Sequence, residues 1–119
     1  MTFDVVGLGC ACLDFIGVVP NNPKIDSQVW MSESTQQGGG KVATALVTLA
    51  KLGTSTTFLG RIGDDLVGRI IKEEFEGFGV NTRHMVIESG ANSLVSMVLV
   101  DASSGQRTIM SDRPATSTW

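Results

Sequence analysis

Three consecutive glycines, Gly38-Gly39-Gly40, run directly into KVATALVTLAKLG, and this junction limits the possible folds more than any other feature of the chain. A glycine run stabilises neither a helix interior nor a strand interior, so it marks a break. The residues after it predict a helix over 41–52. Lys41, Thr44, Thr48 and Lys51 fall at i, i+3, i+7 and i+10 and form one narrow polar stripe on an otherwise apolar cylinder. A helix of that kind packs within a layered structure. Gly53 follows as its C′ cap, and 56–59 reads as a strand closed by Gly60. Asp64 or Asp65 then caps a second helix running to about residue 78. Leu66, Val67, Ile70, Ile71, Phe75 and Phe78 form its apolar face, with Glu73, Glu74 and Glu76 outward. Further core strands are expected at 3–8 and 84–87. Strands alternating with helices predict a parallel sheet.

A second group of segments has no helices between its members. Short strands are expected at 15–19, 28–34, 93–100 and 106–110, the last two joined by a turn at 101–105 as a hairpin. Together they suggest a separate small antiparallel sheet. The tail over 111–119 is rich in Ser and Thr and predicts no element.

The 119 residues allow one small domain. A net charge of −3 without any Lys/Arg cluster argues against a nucleic-acid partner. No apolar run approaches the roughly 20 residues of a membrane span, and the N-terminus lacks a basic leader, so no membrane role and a cytoplasmic setting are expected. Cys10 and Cys12 are the two cysteines and His84 the single histidine, too few for a zinc site, so both cysteines read as reduced, buried thiols. Gly7-Leu8-Gly9 hints at a dinucleotide fingerprint, but Cys12 stands where the third glycine belongs and no helix follows. Gly40-Lys41 hints at a phosphate loop, but Val42 replaces its Ser/Thr and Thr35 its first glycine.

The run over 38–80 contains Gly39-Gly40, Ala50-Lys51-Leu52-Gly53, Gly60-Arg61-Ile62-Gly63-Asp64-Asp65-Leu66-Val67-Gly68 and Gly79-Val80. In this order and spacing it resembles the first signature region of PfkB/ribokinase-family carbohydrate kinases. The resemblance extends upstream to Val5-Val6-Gly7-Leu8-Gly9 and Leu13-Asp14. Downstream it reaches Val98-Leu99-Val100-Asp101 and Gly105-Gln106-Arg107-Thr108-Ile109, covering about 3–114.

That resemblance implies an α/β, ribokinase-like fold, Rossmann-like with three layers and a small β-sheet lid, of which this chain is the N-terminal portion. Core segments would lie at about 3–9 and 39–88, and lid segments at about 15–34 and 93–110. It implies ATP-dependent phosphorylation of a sugar hydroxyl with Mg²⁺, and a homodimer through the lid. Carried over position by position, it assigns sugar contact to Asp14, Gly39, Gly40, Lys41, Thr44 and Ser96. A carboxylate such as that of Asp14 can accept from two vicinal hydroxyls at once. Thr44 stands where many members carry Asn, and Val42 where a small residue is usual, which leaves the sugar open. The family's C-terminal D-T-x-G-A-G-D run, with its catalytic Asp, its anion hole and the ATP site, does not occur among these residues. The 119-residue chain alone is therefore expected to lack kinase activity. Two other readings are a nucleoside kinase of the same family and a non-catalytic sugar-binding or dimerisation module.

Overall fold

The computed structural model describes residues 2–117. In chain order the elements are β1 (Val5–Leu8), β2 (Cys12–Val19), β3 (Glu33–Gly39), α1 (Lys41–Lys51), β4 (Thr56–Leu59), β5 (Arg61–Gly63), α2 (Leu66–Gly77), β6 (Val86–Glu88), β7 (Leu94–Asp101) and β8 (Arg107–Ser111), followed by a 3-10 turn, Ala115–Ser117.

The core sheet is parallel. β1 pairs with β4, Val5 opposite Thr56, and β5 pairs with β6, Arg61 opposite Val86. Gly60 alone separates β4 from β5, and its carbonyl accepts from the Val86 amide at 2.8 Å, so the two pairs adjoin along one run. Asn81 adds a parallel bridge to Thr57. Both helices cover the same face of this sheet. Phe58 is fully buried there and stacks on Phe75 of α2, ring centroids 4.8 Å apart. Leu13, Ala43, Leu46, Ile71 and Val80 close the cluster. Burial of a side chain such as Phe58 stabilises by roughly 1.5–3 kcal/mol. Val6 and Leu8, each 58% exposed, point to the opposite face, which no described helix covers. The described residues thus supply two of the three layers.

The lid is a four-stranded sheet in the order β3-β2-β7-β8. It is mixed rather than antiparallel throughout: β2 runs parallel to β7, while β3 and β8 are antiparallel to their neighbours. Two boundaries differ from the sequence expectation. The strand expected at 15–19 begins at Cys12, and the one expected at 28–34 begins at Glu33 and continues through Gly39. Gly38 and Gly39 do not stop that strand; they pair with Leu13 and Cys12. Cys10 lies outside β2, so the two cysteines do not share a strand face. The strand expected at 84–87 shifts to Val86–Glu88. Part of the expected unstructured tail is ordered, with Ser111 in β8 and Thr116 buried; residues 118 and 119 lie outside the described residues.

Asp65, not Asp64, caps α2. Its carboxylate accepts from the Gly68 amide at 2.9 Å and from the Ser93 amide and hydroxyl at 2.8 and 2.7 Å, which fastens the helix start to the chain entering β7. Asp64 instead accepts from the Gly90 amide.

Candidate functional site

β2 leaves the core and becomes a central strand of the lid, so its side chains alternate between the two lid faces. Cys12 and Asp14 share one face. The register adds Gly39 and Gln37 of β3, Ser96 of β7 and Ser111 of β8 to that face, because Asp14 stands opposite both Gln37 and Ser96, and Ser96 opposite Ser111. Asp14 is half-buried, and its Oδ1 accepts from the Cys12 thiol at 3.3 Å. Its Oδ2 lies over Gly39, where a Cβ would sit inside van der Waals contact with that oxygen and 2.9 Å from Asp14 Cγ. Ser96, 6% exposed, places its hydroxyl 2.7 Å from that of Ser111.

Gly40 follows in a conformation closed to other residues, φ 101° and ψ 136°, and is the N-cap of α1. A side chain there would also meet the Cys10 backbone. No side chain caps this helix, so its first amides and the positive end of its dipole adjoin the Asp14 cluster. Lys41 begins the helix and is exposed.

Burial pushes the Cys12 thiol up to about 12, and the hydrogen bond to Asp14 and the Asp14 charge add to this, against a smaller opposing influence of the Ser96 hydroxyl. Cys12 is therefore a neutral donor at physiological pH.

On α2, Glu74 accepts from the Gly38 amide with both carboxylate oxygens, each at 3.0 Å, and so ties the glycine strand to the second helix. Beside it a groove of about 320 Å³ runs between the helices, lined in part by Gln37, Thr44, Thr48, Lys51 and Glu74. It also touches Cys12 and Gly39, but neither Asp14 nor Ser96.

Of the six residues expected at the site, the structure gathers Asp14, Gly39 and Ser96 on one lid face, with Gly40 and Lys41 at the adjoining helix start. Thr44 lies one turn further along and lines the groove. Sequence reasoning missed Cys12, Gln37, Ser111 and Glu74. The two-residue spacing of Cys12 from Asp14 puts them on one strand face once the strand expected at 15–19 is extended back to Cys12; the other three depend on pairings that the sequence does not display. Among the described residues no three His, Cys, Asp or Glu side chains are grouped to hold a metal ion.

A parallel α/β core whose lid brings an aspartate over a glycine turn at a helix start defines a ribokinase-like protein. A putative ribokinase from Agrobacterium tumefaciens superposes with a TM-score of 0.85 at 28% identity, covering 92% of this chain and 35% of its own. Arabidopsis thaliana ribokinase complexed with ribose and ATP superposes with a TM-score of 0.82 at 27% identity, covering 97% of this chain and 37% of its own. The chain belongs to the pfkB family of carbohydrate kinases, whose family profile matches residues 2–119. Curated relatives include the 5-dehydro-2-deoxygluconokinases of Halalkalibacterium halodurans, 33% identical over 86 residues, and Bacillus subtilis, 34% identical over 86 residues. Each alignment covers 72% of this chain, which spans about 25% of the length of those relatives.

Proposed function

We propose that this chain supplies the sugar-binding part of an ATP-dependent sugar kinase. The observation that carries the reading is the Asp14 carboxylate, held over Gly39 at the uncapped start of α1. One of its oxygens accepts from Cys12, and lone pairs remain on both for a pair of sugar hydroxyls. The backbone at Gly39 and Gly40 allows a sugar ring to come close, and the first amides of α1 and the Lys41 ammonium donate to its oxygens. Ser96 faces the sugar from β7, and Thr44 borders it from α1. The reaction would transfer a phosphoryl group from ATP, with Mg²⁺ offsetting the phosphate charge. Neither ATP nor Mg²⁺ is assigned to any residue of this chain, whose described residues offer no metal-ligand group.

β1, β4, β5, β6 and the two helices form the core of one ribokinase-like domain in this reading, and β2, β3, β7 and β8 its lid. ATP-dependent sugar phosphorylation and two free thiols suit a cytoplasmic setting. No described helix is long and apolar enough to cross a membrane.

The other lid face favours a homodimer. Phe15, Met31, Met97 and Met110 are exposed around a hollow of about 600 Å³ floored by Gly17 and Leu99. An apolar face of this kind is covered in a stable assembly.

Titration of the chain by protein NMR tests the sugar reading. The panel is ribose, fructose, tagatose, sulfofructose and 5-dehydro-2-deoxygluconate, against adenosine and inosine. Saturable shifts at Asp14, Gly39, Gly40 and Ser96 with one of the sugars are expected. Saturation by the nucleosides alone would move the reading to a nucleoside kinase. Turnover by the 119-residue chain in a coupled ADP-release assay would contradict its assignment as the sugar-binding part alone.

A further inference from the structure

Cys12 lies beside Asp14 on the inner lid face, two residues away along β2. It is 6% exposed, so no bulk water competes for its thiol. The thiol donates to Asp14 Oδ1 at 3.3 Å. The Ser96 hydroxyl stands on the same lid face, on the strand paired with β2. That hydroxyl also lies 2.7 Å from the Ser111 hydroxyl. Four side chains on three strands thus share one face, where the Cys12 thiol donates to Asp14 and the Ser96 and Ser111 hydroxyls hydrogen-bond each other. Gly39 leaves the carboxylate room on its other side, where a Cβ would otherwise press on Oδ2.

We infer that Cys12 is a positioning residue for substrate recognition: its buried thiol, donating to Oδ1 while Gly39 leaves room at Oδ2, fixes the orientation of the Asp14 carboxylate and so the spacing of hydroxyl groups the site accepts. This inference rests on the sugar-binding reading of Asp14. The thiol stays protonated through the physiological range, because burial and the neighbouring carboxylate raise it to about 12, so the donor is permanent. Its role differs from that of a buried space-filling cysteine, which an aliphatic side chain would replace.

Two measurements separate these roles. The first uses a Cys10→Ser background, which leaves Cys12 as the single thiol of the chain. In infrared spectra its S–H stretching band is expected at low frequency, and Asp14→Ala should move it up. A band that Asp14→Ala leaves in place overturns the inference, whatever the ligand.

The second compares sugar binding by Cys12→Ser, Cys12→Val and Cys12→Ala, using the panel sugar that saturates the wild type. Ser keeps a donor and should bind within about threefold of wild type, while Val and Ala lose it and should bind about tenfold more weakly. Val binding as well as wild type, with Ser impaired, overturns the inference in favour of space filling. A wild-type chain that no panel sugar saturates overturns the functional reading and the recognition role together, and a band that still moves then shows that the hydrogen bond itself stands.

Discussion

Replacing Gly39 by Ala perturbs the proposed site with little insult to the backbone. Gly39 lies in β3 and is not among the positive-φ glycines, so alanine meets no conformational barrier there. The added Cβ would fall inside contact distance of Asp14 Oδ2, 2.9 Å from Asp14 Cγ and 3.0 Å from Cys12 Sγ. Carbon contacts settle at about 3.5–4.0 Å, so the neighbours must give way by roughly 0.5–1 Å. The least costly escape is rotation of the Asp14 carboxylate, at about 0.5–1.5 kcal/mol if it leaves its rotamer. Overpacking that instead forced β2 and β3 apart would cost about 1–3 kcal/mol. For a chain of this size that is a fall in Tm of very roughly 3–15 °C. Sugar affinity should fall by about tenfold or more, because a rotated carboxylate loses charge-assisted hydrogen bonds. Gly77→Ala is the control: nothing lies within 4 Å of its Cβ, and in the last turn of α2 alanine should be neutral or stabilise by up to about 1 kcal/mol. Urea unfolding at unchanged m and a sugar titration on both variants provide the assay. A Gly39→Ala chain that is folded and binds sugar as wild type would refute the assignment of the Asp14–Gly39 contact to the site.

Asp65→Ala removes the α2 cap and strands the Ser93 hydroxyl and amide, so a loss of about 2–4 kcal/mol is expected in urea unfolding. Burial acts to raise the Asp65 carboxyl, but the hydrogen bonds from Ser93 and Gly68 outweigh it and hold it below the ordinary aspartate value. A pKa lower in the folded than in the unfolded state contributes stability that is present above the unfolded value, about 3.9, and is lost as pH falls through the folded value. The stability difference between wild type and Asp65→Asn should therefore be constant near neutrality and shrink below about pH 4. Met97 is 57% exposed on the apolar lid face, and Met97→Glu should turn a dimer into a monomer by light scattering after gel filtration, with the Tm of the protomer little changed.

The α1 helix and the glycine punctuation were legible because local chemistry dictates them. A narrow polar stripe on an apolar cylinder has one solution, and Gly40 with φ 101° sits where the sequence placed the break. The strand through Gly38 and Gly39 was not legible. Glycine reads as a stop on local propensity, yet here two carboxylates, from Asp14 and Glu74, approach the backbone where side chains would stand. The parallel pairing of β2 with β7 was equally hidden, since it joins segments from opposite ends of the chain and depends on the core to set their direction. Asp14, Gly39 and Ser96 could be named singly from the family resemblance, whereas their meeting on one face follows from that register. Cys12 read as a reduced, buried thiol because its partner is the Asp14 carboxylate, whose orientation the sequence leaves free.

In the proposed function Asp14, over the glycine turn, binds sugar hydroxyls. Isothermal titration of wild type and Asp14→Asn with the panel sugar that saturates the wild type tests it most directly. Asn keeps the volume but removes the charge and replaces one acceptor oxygen by a donor. A saturable isotherm is expected for wild type and binding at least about tenfold weaker for Asp14→Asn, with both chains unfolding at similar urea concentrations. Equal affinity in the two folded chains would contradict it.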